Sequence, residues 1–208
     1  MDNRIDIFIG KFCDEVAEAR RNVPRTEISR AINMLIAAQE RDGRVYIFGN
    51  GGSWSMAGHF ASDFNKTVIG RIQEGHESPR IGFNVIRLPT TTEELTAIGN
   101  DVGYNYIFLT PLKRSLRESD LVIAISSSGN SPNIIMAVEF AKSIKVPVIG
   151  ISGFDGGRLN ELADAKIFIS TPRGKYGVVE STHSYILHLM TEYFKEYFDA
   201  LTKRGLGR

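Results

Sequence analysis

Val45-Tyr46-Ile47-Phe48-Gly49-Asn50-Gly51-Gly52-Ser53 is a short apolar run that breaks into a glycine loop, and a helix-compatible stretch continues from it to Asp63. The same plan returns at Leu121-Val122-Ile123-Ala124-Ile125, which opens into Ser126-Ser127-Ser128-Gly129-Asn130-Ser131 and then a helical pattern through Ile134, Ile135, Val138, Phe140 and Ala141. Strand, Gly/Ser loop and helix, in that order, form the unit of a parallel sheet. Its double occurrence decides the fold class.

On either side lie further apolar runs at Phe83 to Leu88, Val146 to Ile151 and Lys166 to Ile169, with helical spacing near Glu93 to Ile98 and Arg158 to Ala163. Parallel strands need crossovers about as long as a helix, so this alternation predicts a sheet covered on both faces. The expected fold is α/β, a three-layer αβα sandwich with a five-stranded parallel sheet. Two helices precede any strand. In the first, Ile5, Phe8, Phe12, Val16 and Ala19 recur at helical spacing until Pro24. In the second, Thr26 is the expected cap, and Ile28, Ile32, Leu35 and Ile36 share a face up to Asp42-Gly43. The pattern divides the chain into an N-terminal helical arm over 1–42 and an α/β core over 43–208, with a long, broadly apolar last helix from about Val178 to Lys203. The polar stretch Val68 to Pro79 reads as a loop.

A chain of 208 residues, 42% hydrophobic and 24% charged, has ordinary globular usage, and its length favours one domain across 1–208. Lys+Arg 25 against Asp+Glu 24 leaves a formal charge of +1, which excludes the basic footprint of a nucleic-acid binder. No segment approaches the eighteen or so apolar residues of a membrane span. Nucleic acid and membrane are therefore not expected partners. Cys13 is the only cysteine, so no internal disulfide forms, and its expected place is a small buried position in the first helix. With Asp2, Arg4 and Asp6 at the start instead of a basic and then apolar leader, the expected compartment is the cytoplasm.

Glycines at 49, 51 and 52 let the backbone turn tightly after a strand and present its amides at the following helix N-terminus, where Asn50 and Ser53 add polar side chains. Ser126, Ser127, Ser128 and Ser131 surround Gly129-Asn130 in the same position of the second unit. Hydroxyls and amides at a helix start bind phosphate without net basic charge. Either loop alone serves equally well as a chain turn with a capped helix behind it. Two in one sheet favour a ligand, because open α/β sheets bind at strand C-terminal ends. Neither loop has the glycine spacing of a dinucleotide fingerprint or a Gly-Lys-Ser/Thr, so a phosphorylated sugar is the expected ligand.

His59 and Asp63 stand four apart on the helix after the first loop, and Glu180 and His188 about two turns apart on the last helix. Each pair shares a face. One imidazole and one carboxylate per helix suit a divalent ion, zinc especially, if the helices meet. The alternatives are a local side-chain pair for His59 and Asp63 and a dipole-stabilised carboxylate for Glu180.

The run Gly49-Asn50-Gly51-Gly52-Ser53 with His59-Phe60-Ala61, the segment Leu95-Thr96-Ala97-Ile98-Gly99-Asn100-Asp101, and Ile125-Ser126-Ser127-Ser128-Gly129-Asn130-Ser131 resemble the sugar isomerase (SIS) domain family, most of all its phosphoheptose isomerase members. The resemblance spans nearly the whole chain. It implies a homotetramer and conversion of sedoheptulose 7-phosphate to D-glycero-D-manno-heptose 7-phosphate or a related reaction of a ketose phosphate. It further implies phosphate bound by the hydroxyl loops, zinc and acid/base chemistry drawn from His59, Asp63, Glu180 and His188, and Asp101 on sugar hydroxyls. In this reading Asp63 is the base at one carbon and His188 the opposite acid/base. His183 matches a family histidine with a supporting or structural role.

Several positions depart from the family pattern. Asp63 stands where the family has Glu, Glu180 where it has Gln, Thr67 where an arginine follows the base, and Gly177 where an aspartate precedes the last helix motif. Trp54 places a large ring where smaller residues are common. Two other function classes compete: a non-catalytic SIS-domain protein docking on a partner such as a replication initiator, and a sugar-phosphate sensor. His188, absent from the replication-initiator relative, favours the enzyme, and no helix-turn-helix pattern precedes the domain to favour the sensor.

Overall fold

The computed structural model describes residues 3–66 and 82–203; the loop expected at Val68 to Pro79, with Thr67, lies outside them. Five strands, β1 (Arg44–Gly49), β2 (Asn84–Arg87), β3 (Leu121–Ser126), β4 (Val148–Phe154) and β5 (Ala165–Ser170), form one parallel sheet in the order β2-β1-β3-β4-β5. Helices α1 (Asn3–Arg21) and α2 (Arg25–Glu40) precede it. Helices α3 (Gly52–Lys66), α4 (Thr92–Asp101), α5 (Leu109–Ser115), α6 (Pro132–Ser143) and α7 (Gly157–Leu162) fill the crossovers, and α8 (Tyr176–Lys203) ends the fold. A single 3-10 turn at Tyr104–Tyr106 and α5 were not foreseen, because neither is long enough to show a period.

The central strands are buried on both faces, and their residues sort by parity. Val45, Ile47, Leu121, Ile123 and Ile125 point into a core shared with α2, α3 and α8, whereas Tyr46, Phe48, Val122 and Ala124 point into a second core shared with α5, α6 and α7. This is the three-layer αβα arrangement, with α3 and α6 on opposite faces. The reason is the strand order. From β1 the chain steps outward to β2, and from β3 it steps the other way to β4, so right-handed crossovers fall on opposite sides of the sheet.

The N-terminal helices divide. Ile28, Ala31, Leu35 and Ala38 of α2 are buried in the first core, so α2 belongs to a layer rather than to an arm. In α1 only Val16 and Ala19 are buried, while Ile5, Ile7, Phe8 and Ile9 are 53–68% exposed. Cys13 is exposed as well, contrary to its expected burial, because it lies in the uncovered half of α1. Pro24, not Thr26, occupies the cap of α2, which begins at Arg25. Proline suits such a helix start, where no amide is lost to the ladder.

Candidate active site

The strand order reverses between β1 and β3, and the two Gly/Ser loops leave the sheet at the C-terminal ends of those two strands. Open α/β sheets bind ligands at such a switch point. Register sets the loops level, with Gly49 beside Ile125 and Ser126 beside Ser152 of β4. Gly49 permits the close fit: a β-carbon there would lie 2.8 Å from the Ile125 carbonyl oxygen. Gly129, at φ 65°, would collide with the Gly156 carbonyl if it bore a side chain.

Between the loops lies a small cleft of about 120 Å³, lined by Asn50, Ser53, Ser126, Ser127, Ser128, Ser131, Ile134, Tyr176 and Glu180. Its walls are pre-organised. Gly129 N–H donates to Ser126 Oγ (3.1 Å), Ser126 and Ser131 hydroxyls stand 3.4 Å apart, and Asn130 N–H donates to Ser128 Oγ (3.3 Å). Two side chains not singled out in the sequence brace Asn50 of the first loop, Asn133 from the helix behind the second loop and Tyr104 from the 3-10 turn. Asn133 and Asn50 exchange a pair of amide hydrogen bonds, each 2.9 Å, and the Tyr104 hydroxyl donates to Asn50 Oδ1 at 3.1 Å. Asn133 was overlooked because an Asn behind Ser131-Pro132 reads as helix-start polarity. Gly51 and Gly52 form the turn into α3, Gly51 with φ 53°.

A larger cleft, about 490 Å³, lies between α1 and the end of β5, where Lys175 pairs with Glu15 at 2.8 Å. Size does not assign it a function, because it holds neither loop nor any residue of the histidine cluster. Asp101 closes α4 at an exposed position, accepting a bond from Asn100 (2.7 Å), and lines neither the serine cleft nor its neighbour beside Trp54. Trp54 donates from Nε1 to the Leu88 carbonyl (3.1 Å), with the Arg87 guanidinium 3.9 Å above its ring.

Helices α3 and α8 run side by side, packed through Phe60, Phe64 and Phe194 in the first core. This brings together three of the four expected metal residues. His59 Nε2 and His188 Nε2 are 2.9 Å apart, His59 Nε2 and Asp63 Oδ2 are 3.4 Å apart, and ligand atoms of all three lie within 4.8 Å of one another. Glu180 is not among them. Two turns nearer the start of α8, its carboxylate lies against the start of α3, where a β-carbon on Gly52 would be 2.6 Å from Oε2. The helical rise that separates it from His188 puts it in the serine cleft instead. Two imidazoles and one carboxylate, partly exposed, are the donor set of an open zinc site. The three residues fit that ion.

His183, between these groups on α8, is fully buried, and its Nε2–H donates to the Ser152 carbonyl at 3.1 Å. Burial lowers its pKa to about 4, the Ser152 carbonyl opposing, so the ring is neutral near pH 7. Its Nδ1 and the Ser152 hydroxyl are buried without partners among the described residues.

A loop pair at a switch point, with a histidine cluster beyond it, defines a sugar-phosphate type of α/β site, and the SIS domain profile matches residues 11–153. A phosphoheptose isomerase from Helicobacter pylori (strain P12) is 33% identical over 174 residues, covering 82% of this chain and 84% of its own. One from Helicobacter hepaticus is 35% identical over 168 residues, 79% of each chain. The solved phosphoheptose isomerase of Neisseria gonorrhoeae superposes with a TM-score of 0.78 at 26% identity, covering 93% of this chain and 98% of that one. The chain belongs to the phosphoheptose isomerase family of SIS-domain proteins, and is an enzyme of the isomerase class.

Proposed function

We propose that the chain interconverts a ketose phosphate and its aldose phosphate, with sedoheptulose 7-phosphate and D-glycero-D-manno-heptose 7-phosphate as the leading pair. One observation carries the reading. Gly52 meets Glu180 at the cleft and His59 meets His188 further along the same two parallel helices. At 1.5 Å per residue these levels are roughly 10–12 Å apart. A seven-carbon chain, extended, spans that gap with its phosphate in the cleft and its first two carbons at the histidines; a three-carbon chain does not.

In the cleft, Ser53, Ser126, Ser127, Ser128 and Ser131 donate hydroxyls and Asn50, Gly51 and Gly52 line the loop, all at helix starts whose partial positive ends favour the phosphate. At the other end the reaction takes a proton from C1 and returns one to C2, and moves another from O1 to O2 through an enediolate, with no external oxidant. Asp63 is the base at carbon. The opposed rings of His188 and His59, one donating and one accepting, hold a proton for the oxygens. Asp101 joins the sugar site only if the ligand or a neighbouring subunit reaches the end of α4.

His59, Asp63 and His188 would also hold zinc, which when bound supplies a Lewis acid for the carbonyl oxygen. His188 cannot give Nε2 both to the ion and to a proton, so a chelator separates the two uses. Purified protein incubated with sedoheptulose 7-phosphate should form the aldose phosphate. Retained turnover after chelation assigns His188 to proton transfer, and lost turnover restored by zinc assigns it to the metal. No aldose from any of a panel of ketose phosphates overturns the isomerase reading.

We further infer a homo-oligomer, with a tetramer as the expected size, in a cytoplasmic setting that suits a lone exposed thiol. The support is α1, whose Ile5, Ile7, Phe8 and Ile9 are distributed around the helix and exposed in one subunit. A monomer mass by light scattering would remove this inference.

A further inference from the structure

The side-chain amide of Asn50 has one polarity open to it. The Ile134 amide N–H donates to Asn133 Oδ1 at 3.0 Å, and a donor at that point admits an oxygen and not an NH2 group. Asn133, itself buried, therefore presents its oxygen and nitrogen to Asn50 in a fixed sense. The reciprocal pair, each bond 2.9 Å, passes that sense on: Asn50 Nδ2 donates to Asn133 Oδ1, and Asn50 Oδ1 accepts from Asn133 Nδ2. Each end of the Asn50 amide keeps one outer position. On the oxygen flank the Tyr104 hydroxyl fills it, donating at 3.1 Å. On the opposite, nitrogen flank the second N–H has no acceptor among the described residues. Asn50 borders two clefts. Tyr104 lines the one beside Trp54 and not the serine cleft, which leaves the other flank, with its free N–H, to the serine cleft.

We propose that Tyr104 is a positioning residue, which holds the Asn50 amide so that its free N–H is aimed at a phosphate in the serine cleft. Tyr104 does not touch the ligand in this role. It acts through Asn50 in two ways. A third bond fixes a side chain that stands on a loop, so less freedom is lost when the ligand binds. A donor on Oδ1 also polarises the amide and strengthens the N–H on its other flank. Turned the other way, the same amide would offer its carbonyl oxygen to the anion. The 3-10 turn that carries Tyr104 is thereby coupled to the phosphate end of the site, although none of its three residues lines the serine cleft. The inference rests on that cleft receiving the phosphate, as proposed above.

The test is a double-mutant cycle on the full chain, with inorganic phosphate as the probe and its binding followed by phosphorus NMR. Tyr104→Phe removes one hydroxyl from an exposed ring and should weaken phosphate about threefold, and Asn50→Ala should weaken it about tenfold. The double variant should bind no more weakly than Asn50→Ala, because Tyr104 has nothing left to act through. In the Ser131→Ala background, by contrast, the threefold loss should persist in full, since Ser131 does not touch Asn50. With sedoheptulose 7-phosphate as substrate, Tyr104→Phe should raise KM by the same factor and leave kcat within about twofold. A purely structural Tyr104 would show its loss in every background. Phosphate affinity unchanged in Tyr104→Phe, or a further threefold loss on top of Asn50→Ala, overturns the positioning role alone. If the unmodified protein binds no phosphate, the phosphate cleft itself is refuted, and this inference falls with it.

Discussion

The serine cleft and the histidine cluster sit on the same pair of helices yet are built on opposite principles. In the cleft, Ser53, Ser126 and Ser127 are 4–7% exposed, and their loops are held by strand register, by glycines that admit no β-carbon, and by the Asn50–Asn133 exchange. In the cluster, the His59 side chain is 60% exposed, and the three residues meet where α3 packs on α8, with no loop or strand register around them. The cleft is rigid, with hydroxyl and amide walls beside the Glu180 carboxylate, and is suited to holding one end of a ligand. The cluster is open, with both imidazoles exposed and the Asp63 carboxylate partly so. If the proposed roles hold, binding and chemistry fall to different kinds of structure, and mutation should separate them.

The largest effect should come from the cluster. Asp63→Ala or His188→Ala should lower kcat by roughly 10³-fold while leaving the melting temperature within a few degrees, because His188 is exposed, Asp63 is only partly buried, and neither belongs to the apolar core. Ser126→Ala should do the reverse. It removes one of the two acceptors of the Gly129 amide, which still donates to the Ser126 carbonyl (3.0 Å), so stability falls by only about 0.5 kcal/mol while KM rises, with a smaller change in kcat. Steady-state kinetics and thermal melts on the three variants make the comparison. Near-normal turnover in Asp63→Ala and His188→Ala would sink the division of labour.

The same contrast explains what the sequence revealed. The cleft is legible because each half is contiguous: a strand, its loop and its helix start are neighbours in the chain, so Gly49 to Ser53 and Ser126 to Ser131 announce their geometry locally. The parallel direction of the five strands needed only the rule that strands alternating with helices lie parallel, whereas their order, β2-β1-β3-β4-β5, came from the structure. The cluster is different. His59 and His188 are 129 residues apart, and only the aromatic packing of α3 against α8 makes them neighbours, so their pairing came from family resemblance and not from spacing. Glu180 shows the limit of that resemblance. Sharing a face with His188 did not bring its carboxylate to the His59–Asp63–His188 cluster, because two turns of helix carried it to the serine cleft. Asn133 and Tyr104 were missed for a related reason: they bond Asn50 from the start of α6 and from the 3-10 turn, and no local pattern marks such long-range bonds.

His183 offers a finer test, because it couples the two regions. From α8, between Glu180 and His188, it reaches the carbonyl of Ser152, the residue beside Ser126 in the sheet, and so fixes the helix that bears the cluster to the strand ends that bear the cleft. Its pKa is lowered to about 4 by burial, against about 6.5 in an unfolded chain. Above about pH 6.5 both states hold the ring neutral and its contribution is fully present. As pH falls from about 6.5 to about 4, the unfolded chain takes up a proton that the folded one refuses, so stability is lost, by up to about 3 kcal/mol. His183→Gln keeps a donor for Ser152 and does not titrate. Urea unfolding at pH 7 and pH 4.5 should therefore show a loss on acidification that is smaller in the variant by about 2–3 kcal/mol, while the carboxylates contribute equally to both. If α8 is held mainly by its aromatic packing, kcat and KM of His183→Gln at pH 7 will be unchanged; if the Ser152 bond sets the spacing of cleft and cluster, His183→Ala will lower kcat and His183→Gln will restore most of it. Equal acid sensitivity in the unmodified protein and His183→Gln would show that this ring is not the buried, neutral link its position implies.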